Sequence, residues 1–219
     1  MTNSPGATPP QNSCEAQERL FTERRRALGE DHPDTLTAML DFADCLWVQG
    51  RLIAVRQLEE RVVEGRRRQL GEQHAETLKA ISKLAVTLAA QGNLPKARQF
   101  QEQVVAGRRS VFGDTHLETL RSINNLAGTI ASQGNLAEAR ELLEGVVATS
   151  RREFGEQHPD SLTAMSNLAA ILWQEGDRAE AYALQQQVAE MQCRLHGESS
   201  EAAWAAITVL EMMERDTGF

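Results

Sequence analysis

The sequence contains no apolar run approaching the roughly 20 residues that a bilayer-spanning helix requires. Its start, MTNSPGATPPQNS, has neither the basic opening nor the apolar stretch of a secretory leader. A cytoplasmic chain with no membrane partner is therefore expected. Cysteine is scarce: Cys14, Cys45 and Cys193 are odd in number, lie far apart, and form no C-x-x-C pair and no His/Cys cluster of metal-ligand spacing. They are expected to stay reduced, and neither a metal nor a cofactor is expected. Basic excess is lacking too, with 23 Lys and Arg against 31 Asp and Glu. A net charge of -8 argues against general nucleic-acid affinity, which depends on cations that release counterions. Missing as well are G-x-S-x-G, a Walker loop, H-E-x-x-H and G-x-G-x-x-G. A non-enzymatic role without catalytic residues is the expectation.

What the sequence does contain is a repeat. The segments GEDHPDTL, GEQHAETL, GDTHLETL and GEQHPDSL place His32, His74, His116 and His158 at intervals of 42 residues, and GESSEAAW follows in register. The same interval links Gly29, Gly71, Gly113, Gly155 and Gly197, and a second set, Gly50, Gly92, Gly134 and Gly176. Two glycine marks per period divide each unit into two segments of ordinary helix length. In the third unit, Leu117, Leu120, Ile123, Ala127 and Ile130 mark one segment and Leu136, Ala139, Leu143 and Val146 the other. Spacings of mostly three and four give an apolar helical stripe, and no segment alternates as a strand would.

The punctuation agrees with helix pairs. Pro33 and Pro159 suit a first helical turn, where a missing N–H costs nothing. Asp34, Glu76, Glu118 and Asp160 stand at the positive end of the helix dipole, and arginines such as Arg66 to Arg68 stand at the negative end of the second segments. Spacings of four pair Arg26 with Glu30, Arg68 with Glu72 and Arg152 with Glu156. The histidines recur once per unit and would be spread along the stack, so they read as helix-entrance residues bonding nearby backbone rather than as metal ligands.

Residues 1–13 are rich in Pro, Ser, Asn and Gly and read as a disordered tail. Residues 14–29 match a second helix, with Leu20 in register with Val62, Val104, Val146 and Val188. Four helix pairs follow over 32–197, and 200–216 read as a solvated capping helix bearing Glu211, Glu214, Arg215 and Asp216. Residues 14–217 are thus expected to form one all-α solenoid of antiparallel helix pairs.

Two stretches carry a family pattern: NNLAGTIASQGNLAEAR at 124–140 and SNLAAILWQEGDRAEAY at 166–182. Together with L/F-G-E-x-H-P-D-T-L between units, they resemble the 42-residue tetratricopeptide repeat of kinesin light chains. The resemblance implies a right-handed superhelix whose first helices line a concave groove for an extended peptide or a partner helix. It also implies that Asn125 and Asn167 are groove asparagines that bond a ligand backbone, a pattern from which Asp41 and Lys83 depart. In that register the candidate peptide-binding residues are Asp41, Asp44, Trp47, Lys79, Lys83, Arg121, Asn124, Asn125, Ser166, Asn167 and Trp173. Trp47 and Trp173 offer aromatic anchors, and Lys79, Lys83 and Arg121 a positive centre that suits a peptide of acidic character. The competing expectation is a regulatory or structural module that self-associates through its terminal helices.

Overall fold

A computed structural model describes residues 10–217, with side chains described for residues 14–216. The tail expected over 1–13 lies outside the described residues up to residue 9, whereas 10–13 open the first helix. Among the described residues every regular element is an α-helix: α1 (Pro10–Leu28), α2 (Pro33–Val48), α3 (Leu52–Leu70), α4 (Ala75–Ala90), α5 (Leu94–Phe112), α6 (Leu117–Ser132), α7 (Leu136–Phe154), α8 (Pro159–Glu175), α9 (Arg178–His196) and α10 (Glu201–Thr217). The chain divides into two compact units, Met1–Gly107 and Arg108–Phe219, with the boundary inside α5.

Each first helix starts at a histidine. His32, His74, His116 and His158 hold extended backbone, and their Nδ1 atoms accept from the N–H of Asp34, Glu76, Glu118 and Asp160, each at 3.2 Å. The imidazole thereby satisfies one of the N–H groups that every helix start leaves without an intrahelical partner. Each second helix ends at a glycine such as Gly71, whose φ of 84° and ψ of 169° are costly for any residue with a Cβ.

In the first unit the core joins Leu36 and Met39 of α2, Val62 and Val63 of α3, Ile81 and Leu84 of α4, and Val104 of α5, with Phe21 of α1 at its end. Close approach is built in: a Cβ on Gly107 would lie 2.6 Å from Leu78 Cδ2 and 3.0 Å from Gln73 Oε1. In the second unit Leu120, Ile130, Leu143, Leu162, Met165 and Leu172 are buried, and Gln185 is fully enclosed as well.

Two expectations are corrected. Cys14 and Cys45, expected to be reduced, form a disulfide with Cα atoms 5.4 Å apart. Packing of α1 on α2 brings together residues 31 apart in sequence, a proximity that spacing alone does not report. The arginine pairs shift by one residue: Arg67 joins Glu72 at 2.8 Å, Arg109 joins Asp114 at 2.9 Å and Arg151 joins Glu156 at 2.7 Å. The helix has already ended at the intervening glycine, so spacing of four no longer defines neighbours there.

Gly107→Ala is expected to lower stability by about 1–2 kcal/mol through overpacking. Gly145→Ala, where a Cβ would meet nothing within 4 Å, is expected to raise it by about 0.5–1 kcal/mol through helix propensity. Chemical denaturation of both variants checks the contrast. His116→Ala should cost about 1 kcal/mol in the same assay, and His116→Ser should recover most of it.

Candidate functional site

The exposed face of the first helices is left over once the core and the helix junctions have taken their residues. In the first unit Asp41 and Asp44 of α2 and Lys79 of α4 are exposed, while Trp47 and Lys83 are half-buried. The Trp47 ring packs on a cluster of Ala43, Leu46 and Val55. Lys83 Nζ forms an ion pair with Asp44 Oδ1 of the neighbouring first helix. Lys79 makes no ion pair among the described residues.

Beneath that pair lies a group that the sequence pattern does not single out. Glu59 of α3 is only 3% exposed and accepts from Thr87 Oγ1 at 2.6 Å. Burial pushes its carboxyl up from 4.5 to about 7; the Thr87 hydroxyl and the Lys83 charge oppose the shift, and the Asp44 charge adds to it. The repeat equivalents are Gln101, Leu143 and Gln185, all buried, so among these four Glu59 alone is ionisable at this position.

In the second unit Arg121 of α6 is held in a bidentate pair with Asp160 of α8, at 2.6 and 3.0 Å, and contacts Glu118 at 3.0 Å. The hydrogen bonds to Asp160 hold its guanidinium above the ordinary pKa. Asn167 is exposed, and its Nδ2 donates to Asn124 Oδ1 at 3.1 Å, which leaves its oxygen unbonded among the described residues. Asn125 is exposed, and its side chain makes no hydrogen bond among the described residues. Beside these amides, Gly128 has open space where a side chain would stand, and Ala170 is exposed. Ser166 turns inward, donating at 3.0 Å to Gln185, whose amide in turn donates to the Ala206 carbonyl. Trp173 is half-buried, with the Arg178 guanidinium 5.1 Å from its ring centroid.

The sequence reading therefore locates exposed polar positions but not their pairings. Ion pairs bind partners 39 residues apart, Lys83 to Asp44 and Arg121 to Asp160, across adjacent first helices. Another cation outside that reading, Arg140 of α7, joins Glu144, Glu175, Asp177 and Glu180 at 2.7–3.6 Å and ties α7 to the α8–α9 turn.

Comparison with known proteins places this arrangement. Two tetratricopeptide-repeat models match, over residues 77–118 and 118–194. The Q17M crystal structure of a Podosopora anserina putative kinesin light chain with nearly identical TPR-like repeats is 29% identical, covering 84% of this chain and 87% of its own, with a TM-score of 0.73. BtubC (BKLC) from P. vanneervenii is 17% identical over 97% of this chain and 85% of its own, at a TM-score of 0.77. A Rap protein complexed with competence and sporulation factor is 12% identical over 98% of this chain and 62% of its own, at 0.68. No curated protein sequence matches. The chain belongs to the tetratricopeptide-repeat family, in its kinesin-light-chain-like form, and its fold is of the all-α solenoid class. Among the described residues no helix is long and apolar enough to cross a membrane.

Glu59 makes a pH prediction. A carboxyl whose folded pKa is raised contributes most to stability below its unfolded value near 4.5, and that contribution is lost as pH rises to about 7. Glu59→Gln should therefore gain stability relative to the parent between pH 5 and pH 8, read by denaturation midpoints. An unchanged difference across that range would refute the assignment.

Proposed function

We propose that this chain is a non-catalytic adaptor or scaffold that holds an extended or helical peptide segment on the exposed face of its first helices. The observation that supports this most is the surface of the second unit. Amides of Asn125 and Asn167 stand outward beside the small residues Gly128 and Ala170, so a peptide backbone can approach closely and find both donors and acceptors. Trp173 stands beside them as an aromatic anchor, stiffened by Arg178.

A preference for acidic peptides rests on Lys79 and Lys83 in the first unit. Lys79 is unengaged by an acid among the described residues, and Lys83 can exchange Asp44 for a ligand carboxylate, since an exposed ion pair contributes only about 0–1 kcal/mol. Arg121 is held more firmly by its two bonds to Asp160, so it positions Asp160 and Glu118 rather than waiting for a ligand. The four histidines are committed to capping and take no part in binding.

A peptide array screened for acidic segments, followed by fluorescence anisotropy on the tightest binder, tests the reading. Lys83→Glu is expected to weaken binding about tenfold, as are Trp173→Ala and Asn167→Ala. Affinity unchanged in all three, with helicity intact, would overturn it.

A further inference from the structure

The last described helix keeps Glu211, Arg215 and Asp216 exposed, and beside these charges it also carries large apolar side chains into solvent. On its inner side α10 is anchored to α9: Ala203, Ala206 and Met213 are buried, Gln185 donates to the Ala206 carbonyl at 3.0 Å, and Tyr182 donates to Glu214 at 2.7 Å. Its outer side carries Trp204 at 68% exposure and Met212 at 57%. Trp204 stands one period after Leu162, and its other equivalents are Leu36, Leu78 and Leu120. All four leucines are at most 5% exposed, with Leu36 and Leu78 closed over by Gly65 and Gly107 of their own second helices. Among the described residues nothing covers Trp204, although its position is one where a helix packs.

What packs there is constrained by Glu211. That residue stands at the position of Ala43, Ala85, Ala127 and Ala169, each with no exposed surface. Another helix seated at repeat spacing would bury the Glu211 carboxylate at the point of closest approach, at a cost of several kcal/mol. A helix seated at repeat spacing is therefore disfavoured on this face. A looser antiparallel helix fits, because the outer stripe is self-complementary about Thr208. Glu201 and Arg215 lie seven residues on either side of it, and Trp204 and Met212 lie four on either side. At the centre, Thr208 donates to the Trp204 carbonyl at 2.8 Å, so its hydroxyl is satisfied within its own helix.

We propose that α10 is a homodimer surface, occupied by α10 of a second copy in a two-fold antiparallel arrangement. Trp204 packs on the partner's Met212, Glu201 pairs with the partner's Arg215, and Thr208 meets its own equivalent at the axis. Such an interface is isologous and closed, so it yields dimers rather than filaments. The sulfur–aromatic contact and the two equivalent charge pairs set the register. Arg215 keeps its contact with Glu211, at 3.7 Å, and adds the partner's Glu201, so the Glu211 carboxylate stays paired at the edge of the interface. A pair of single helices buries less than the roughly 1,600 Å² of a standard interface, so the dimer is reversible and dependent on concentration.

Sedimentation equilibrium of the full chain over a wide concentration range tests this. A reversible monomer–dimer equilibrium is expected, with Trp204→Glu raising the dimer Kd about tenfold or more while circular dichroism stays unchanged. Glu201→Arg and Arg215→Glu should each weaken the dimer several-fold, and the double reversal should restore it, which a merely structural role would not do. A monomer at every concentration overturns the proposal. So does a dimer insensitive to Trp204→Glu, or one that the double reversal leaves as weak as the single variants. The proposal stands apart from the peptide reading: Trp204→Glu should leave peptide affinity unchanged, and Lys83→Glu should leave the dimer Kd unchanged.

Discussion

Two of the first helices, α4 and α6, have their entrances held by a buried guanidinium from the helix before them, and this contact fixes how a second helix meets the next first helix. Arg66 of α3 is 6% exposed, donates to the Glu76 carbonyl at 2.8 Å and pairs with its carboxylate at 3.0 Å. Arg108 does the same at Glu118, at 2.9 and 3.0 Å, and adds Ser122 at 2.8 Å. Arg24 reaches the Asp34 carbonyl at 3.1 Å. Burial draws the pKa of Arg66 and Arg108 down while the facing carboxylate draws it up, so the charge is retained and its donors are used. Removing such a group would strand its partners, which is why these arginines are structural rather than a surface stripe for anions. In α7 the equivalent position is the buried Ser150, which donates only to the Val147 carbonyl of its own helix, and Arg140 instead ties α7 to the far end of α8 at the α8–α9 turn.

That junction explains where binding is left to happen. Core, caps and junctions consume the apolar stripe, the histidines and the buried arginines, and the outer face of the first helices remains without a structural duty. Its ion pairs between adjacent first helices are exposed and individually weak, so they order side chains without committing them. Glu59 differs in kind, since it lies under Lys83 and Asp44 with one hydroxyl partner. Its protonation alters the charge beneath the one part of the first unit proposed to choose acidic ligands. The same logic makes α10 distinct, because there the face that elsewhere disappears into a helix pair keeps its tryptophan in solvent.

Much of this was legible in the residues. A period of 42 residues with two glycines and one histidine per unit reports helix pairs, because turn closure and helix entry each demand a particular local chemistry whatever surrounds them. The exposed positions of Asn125, Asn167, Asp44 and Lys79 followed from register for the same local reason. What register does not report is partnership. Ser166 faces the same way in the pattern as other polar positions, yet Gln185 draws it inward. Cys14 and Cys45 looked unrelated by spacing and are joined.

The sequence by itself determined the helices, their ends and the face on which each residue stands, since these depend on backbone conformation and on interactions over a few residues. Only the tertiary structure decided which charges neutralise one another, which arginines are buried, how Glu59 comes to be raised, and that Trp204 stands uncovered. Those outcomes depend on desolvation and on contacts between residues a full period apart. The free energy of a charge or a ring is set there by what lies against it rather than by its place in the repeat.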